Sequence, residues 1–173
     1  MATTLRSRRP RALVLGLGNP LMGDDGFGLA VLARLQGDWE MPPSVELVDG
    51  GTWGMNLLPL IEDAREVILV DAIRTGAPPG TLLEIERDRL PKYLAHKLSP
   101  HQIDLKEVLG VAMLRGTLPE RLVAIGAESS RLELSTMLSP ALEDRVDDVA
   151  RAVARRLETW GHRGCRPVAP AHA

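Results

Sequence analysis

Four aspartates stand where short apolar runs end. Asp24 and Asp25 follow Ala12-Leu13-Val14-Leu15, Asp49 follows Val45-Glu46-Leu47-Val48, and Asp71 follows Val67-Ile68-Leu69-Val70. If these runs are neighbouring strands, the acids collect beyond the carboxyl ends of the sheet, where open α/β sheets bind ligands. Carboxylates gathered in this way repel one another unless a cation or a shared proton intervenes. His101 joins them by helical spacing: it lies four residues before Leu105 and seven before Val108, on the core-facing side of its helix. At a first turn, that side meets the rim of the sheet. Two carboxylates and one imidazole form a three-ligand set that leaves room for a further ligand. Such mixed oxygen and nitrogen donors suit nickel, zinc, iron or manganese. A carboxylate of the set is also a candidate general base.

The elements that must position these residues alternate along the chain. Three apolar runs beginning at Ala12, Val45 and Val67 read as buried strands, with further strands at Leu82 to Glu86 and Leu122 to Ile125. Between them lie helical patterns. Leu29, Leu32, Ala33 and Gln36 form one stripe, and Leu105, Val108, Leu109, Ala112 and Met113 a second. A third runs through Leu142, Val146, Val149, Val153 and Leu157. Ser99-Pro100-His101-Gln102 has the form of a capping box, and Ser139 with Pro140 supplies a cap and a first-turn proline. The expected fold is a three-layer α/β sandwich, a mostly parallel, twisted sheet of about five strands flanked by helices.

Composition narrows the function. The 173 residues carry 21 Lys and Arg against 23 Asp and Glu, for a net charge of −2, without the basic balance of a general nucleic-acid binder. Apolar runs are too short to span a bilayer, so no membrane partner is expected. Cys165 is the single cysteine, which excludes an internal disulfide and a cysteine metal cluster. No apolar stretch follows the arginines at 6, 8, 9 and 11, so a cytoplasmic protein is expected. Length implies one domain over 1–173, with a basic extension at 1–10 and a Pro/Ala tail at 164–173 that both read as flexible.

Taken singly, each candidate has an ordinary reading. Asp24 or Asp25 can cap a helix, Asp49 and Asp71 can be turn residues, and His101 can lie on the surface. His96, His162 and His172 read as surface residues, and Cys165 has no base beside it. Gly16-Leu17-Gly18 begins like a dinucleotide fingerprint, but its third glycine would fall at Leu21, and acids at a helix start repel a pyrophosphate. The convergence of Asp24, Asp25, Asp49, Asp71 and His101 on one rim is stronger than any of them alone.

Four motifs together resemble the hydrogenase maturation endopeptidases. These are Gly16-Leu17-Gly18-Asn19-Pro20 with Asp24-Asp25-Gly26-Phe27-Gly28, then Asp49-Gly50-Gly51-Thr52, Asp71-Ala72, and Ser99-Pro100-His101-Gln102. The resemblance covers about Leu13 to Glu128. It implies a peptidase that trims the C-terminus of a nickel–iron hydrogenase large-subunit precursor. Asp25, Asp71 and His101 take the positions of the family's metal-binding residues and of its catalytic site, with Asp49 a possible additional catalytic carboxylate. Asp49, Gly50, Gly51 and Thr52 are expected to contact substrate. Nickel is expected to arrive with the precursor, with no permanent cofactor, and the protein is expected to be a monomer. Where the family often has Glu-Pro after the last strand, Glu128 is followed here by Ser129 and Ser130, and Arg131 to Thr136 also departs from the pattern.

Three rival readings remain. A metallochaperone would hold nickel through the same three residues without cutting anything. A peptidyl-tRNA hydrolase shares the Gly-Leu-Gly-Asn-Pro stretch, but it would carry a histidine soon after, whereas none precedes His96 here. A nucleotide-binding module is disfavoured by Leu21 and the neighbouring acids.

Overall fold

Runs of Val, Ile, Leu and Ala make the central strands, because a strand covered on both faces must be apolar throughout. The computed structural model describes residues 12–94, 100–130 and 132–169. In chain order the elements are β1 (Ala12–Leu17), α1 (Phe27–Asp38), β2 (Trp39–Glu40), β3 (Val45–Gly51), α2 (Leu58–Asp63) and β4 (Glu66–Ile73). There follow β5 (Leu82–Glu86), α3 (Leu90–Leu94), α4 (Pro100–Leu114), β6 (Arg121–Glu128), α5 (Pro140–Glu143), α6 (Val146–Thr159) and β7 (Arg166–Pro167). Five strands form one sheet in the order β3-β1-β4-β6-β5, with β5 antiparallel to β6 and the other pairs parallel. The expected sandwich is the observed one.

Strand alternation sends the core two ways. Val14, Ile68, Val70 and Ile125 face α1 and α6, while Leu15, Leu69, Ile73 and Ala124 face α2 and α4. The α1 stripe is offset from the one read in the sequence: Phe27, Val31, Leu32 and Leu35 are buried, whereas Ala33 and Gln36 are exposed. The third stripe keeps its buried residues but is divided between α5 and α6. The Ser139 hydroxyl does not cap α5.

Two residues set α1 against the sheet. A Cβ on Gly28 would lie 2.2 Å from the Val70 carbonyl oxygen and 2.4 Å from that of Leu17. Gly18, at φ 120°, would carry a Cβ 1.7 Å from the Asp25 carbonyl oxygen. Neither position accepts a side chain, and the turn after β1 can therefore settle directly onto the ends of β1 and β4.

The C-terminal segment departs from expectation. Residues 164–169 are not a loose tail, because β7 pairs antiparallel with β2 and the Val168 N–H donates to the Asp38 carbonyl. His162 is buried rather than on the surface. Its Nδ1 lies 2.8 Å from Ser44 Oγ, its Nε2 is bonded to Glu66, and Arg121 holds the other oxygen of that carboxylate at 2.7 Å. Cys165 is buried beside it, with its thiol donating to the His162 carbonyl. The basic extension at 1–10 with Arg11, the positions His96, Ser99 and His172, and residues 170–173 lie outside the described residues.

Gly28→Ala forces backbone to move, so it should destabilise the protein by about 2 kcal/mol or more and lower Tm by about 4 °C or more. Thermal unfolding followed by circular dichroism checks this; an unchanged Tm contradicts the close approach. Burial, and secondarily the charge of Glu158, pushes the Cys165 thiol up from 9.0 to about 11. The thiolate therefore forms only as pH rises toward that value, and at pH 8 about one molecule in a thousand is ionised. A disulfide reagent should label native protein slowly at pH 8, faster as pH is raised, and at once in denaturant.

Candidate functional site at the carboxyl ends of the central strands

Chain order fixes where a site can be. From β1 the chain passes through α1 to β3 on one side, then through α2 to β4 on the other side of β1. Connections of one hand therefore place α1 and α2 on opposite faces. The reversal opens a crevice beyond the carboxyl ends of β1 and β4, the position at which doubly wound sheets hold ligands. Asp25 belongs to the turn that leaves β1, and Asp71 lies on β4.

The turn after β1 is built by its own side chains. Asn19 Oδ1 accepts the Leu21 N–H at 3.0 Å, its carbonyl accepts the Met22 N–H at 3.1 Å, and its own N–H donates to Asp25 Oδ2 at 2.9 Å. A single turn of 3-10 helix, Gly23–Gly26, then leads into α1 and packs against β4. Asp25 is 5% exposed and Asp71 is 5% exposed. Asp71 pairs with Gly126 of β6 and shares the sheet face of Leu69 and Ile73, the face covered by α2 and α4. α4 is followed directly by β6, which runs parallel to β4, so its first turn returns to this same end of the sheet. His101 lies in that first turn, and its side chain is outside the described residues. Among the described residues, no group of three or more His, Cys, Asp or Glu is placed to hold a metal ion.

The four acids do not form one cluster. Asp49 lies within β3 opposite Gly16, which in turn lies opposite Val70. Alternation therefore puts Asp49 on the α1 face and Asp71 on the other. Asp49 and Thr52 are exposed at the rim, beside exposed Trp53 and Met55, while Gly50 is buried. Asp49, expected as a possible catalytic carboxylate and as a substrate contact, thus lies on the opposite face of the sheet from Asp71.

Asp24 has a different role from its neighbour. It is 0% exposed, and it accepts the N–H and hydroxyl of Ser130 at 2.9 and 3.0 Å and those of Ser139 at 2.7 and 3.0 Å. These donors neutralise the cost of burying the carboxylate. Glu128 does the same at the end of β6. Buried there, it accepts the Thr75 N–H and hydroxyl at 2.8 Å and the Gly76 N–H at 3.0 Å, and so fixes the loop after β4. Nothing in the sequence pattern gives either carboxylate this anchoring role, since their donors stand 52 to 115 residues away. The one available signal was serine at both 130 and 139, flanking a segment of unusual pattern.

A profile of the hydrogenase maturation protease family, HycI, matches residues 29–156. The chain is 39% identical over 153 residues to the hydrogenase expression/formation protein HupD of Rhodobacter capsulatus, covering 87% of this chain and 73% of that one. It is 33% identical over 152 residues to the hydrogenase 2 maturation protease of Escherichia coli, covering 87% and 93%. The structure of the hydrogenase maturating endopeptidase HybD from E. coli superposes with a TM-score of 0.86 at 32% identity, covering 91% of this chain and 97% of that one.

The chain belongs to the hydrogenase maturation protease family. It is accordingly a peptidase, and the fold of the family accounts for its mostly parallel sheet with one antiparallel edge. No helix among the described residues of this protease is long and apolar enough to cross a membrane.

Asp24→Ala leaves four donors of the protease without an acceptor, and should lower its unfolding free energy by about 3 kcal/mol or more. Asp24→Asn retains one acceptor oxygen and should lose less. Urea unfolding of the two variants checks the order, and equal stability of Asp24→Ala and wild type contradicts the role given to Asp24.

Proposed function

We propose that this peptidase removes a short C-terminal peptide from the large-subunit precursor of a nickel–iron hydrogenase, with the precursor's own nickel as the recognition element. The observation that carries the reading is the pair of acids at the switch point, Asp25 on the turn after β1 and Asp71 on β4, in a chain of this family. Buried carboxylates are retained where they meet donors or cations. In this reading Asp25, Asp71 and His101 contact the nickel of a loaded precursor, with oxygen and nitrogen donors suited to a borderline metal. The metal is part of the substrate, and no resident cofactor is involved.

The chemistry assigned to this chain is that of holding and orienting. Asn19 fixes the Asp25 carboxylate by one oxygen, and the β4–β6 register fixes Asp71. The substrate metal would polarise the scissile carbonyl or a water molecule. Where a protein carboxylate takes the proton, we assign that role to Asp25 rather than Asp49, which lies across the sheet from Asp71. Asp49 to Thr52, exposed at the rim, are assigned to contact with the substrate chain. A precursor without nickel lacks the group these side chains bind, so affinity itself checks that the metal has been inserted. The protein is taken to work as a cytoplasmic monomer that docks transiently on its precursor.

Intact-mass measurement of nickel-loaded and nickel-free precursor, before and after incubation with the protein, tests this. Loss of a short C-terminal peptide only from the loaded sample is expected, and Asp71→Ala should abolish it. Loss from both samples keeps the peptidase and discards nickel recognition. Loss from neither favours the metallochaperone reading, in which the same three residues hold nickel without cleavage. Normal cleavage by Asp71→Ala overturns the site assignment.

A further inference from the structure

The segment between β6 and α5 combines firm anchoring with unusual exposure. Its two ends are held by Asp24 through Ser130 and Ser139. Its middle pairs with the turn that carries Asp25: the Ser135 N–H donates to the Leu21 carbonyl at 3.0 Å, and the Gly23 N–H donates to the Ser135 carbonyl at 2.7 Å. The Ser135 hydroxyl in turn accepts the Met137 N–H at 3.0 Å. A loop tied down at three places would be expected to bury its large apolar side chains. Instead Leu134 is 84% exposed and Met137 75%, and Leu21, bonded to Ser135 through its backbone, is 57% exposed.

We propose that Leu134 and Met137, with Leu21 beside them, form the surface on which the protein substrate docks next to the cleavage site. This rests on the reading that the chain processes a hydrogenase precursor. The occupant is an apolar segment of that precursor flanking the bond to be cut. Continuity selects it: Leu21 lies four residues before Asp25 on the same turn, so whatever covers this patch abuts the switch-point crevice. Apolar side chains held in place by their backbone bind at a low ordering cost, since the loop is already fixed. Methionine adds adaptability at such surfaces. Asp24 is then a positioning residue, because it sets this surface at a fixed distance from Asp25.

The test is the cleavage kinetics of the loaded precursor by the double variant Leu134→Ser/Met137→Ser. Both side chains face solvent, so the unfolding midpoint should be unchanged. KM should rise about tenfold or more, with kcat within about twofold of wild type. Leu114→Ser, at the end of α4, removes a side chain that is equally exposed (87%) but far along the chain from the crevice, and should change neither constant. An unchanged KM in the double variant, an equal rise in Leu114→Ser, or a fall in kcat alone each overturns the docking surface while the function stands. If wild type cuts no precursor, the functional reading fails and the docking surface fails with it.

Discussion

A carboxylate that must be buried at the end of a parallel sheet dictates the surrounding structure, and Asp24 is that carboxylate. Removing an ionised group from water is tolerated only when donors surround it. Here the donors are the N–H and hydroxyl groups of Ser130 and Ser139, at the two ends of one loop. The loop cannot swing away without exposing an uncompensated charge to an apolar interior. Glu128 imposes the same condition on the loop after β4 through Thr75 and Gly76. Two buried acids thus tie down the loop after β4, which carries Asp71, and the segment after its neighbour β6.

Packing beneath the rim follows from missing side chains. Gly28 brings α1 onto the carbonyls of Leu17 and Val70, and Gly18 brings the turn back against Asp25. Helix, turn and two central strands thereby meet without intervening atoms. This close approach puts the Asp25 turn against β4 rather than above β1 alone. The reversal in strand order then falls between β1, whose following turn carries Asp25, and β4, which carries Asp71.

What could be read from the sequence was whatever depends on neighbours in the chain. Apolar runs mark five strands in the right places, and the acids beyond them lie toward the carboxyl ends of β1, β3 and β4. Asp24 and Asp25 were indistinguishable by position, and their different roles are decided by Ser130 and Ser139, more than a hundred residues on. The face that Asp49 joins is not legible from its position after an apolar run, because that run continues as strand to Gly51 and the strand's alternation decides the face. His162 reads as a surface residue and 164–173 as flexible because neither spacing nor Pro and Ala composition reveals a waiting partner; Glu66, Ser44 and β2 supply those partners. His101 was legible as the start of a helix, and α4 begins there.

The fold also brings together a serine, a histidine and an acid that the sequence kept apart, Ser44, His162 and Glu66, yet the geometry assigns them to architecture. They sit at the amino ends of β3 and β4, where they line an open polar pocket with Arg65, Arg121 and Trp160, away from the carboxyl ends at which doubly wound sheets hold ligands. Glu66 divides its carboxylate between His162 and Arg121, and the histidine joins the segment after α6 to the start of the sheet. That is a clasp on the C-terminal segment, with Cys165 sealed beneath it. The opposite end has the contrary character. There Asp25 Oδ2 accepts the backbone N–H of Asn19, which fixes the direction of the carboxylate. A carboxylate divided between arginine and histidine suits structure, whereas the function proposed above calls for one aimed by the backbone beside it. The two ends of the sheet thus divide the work between them.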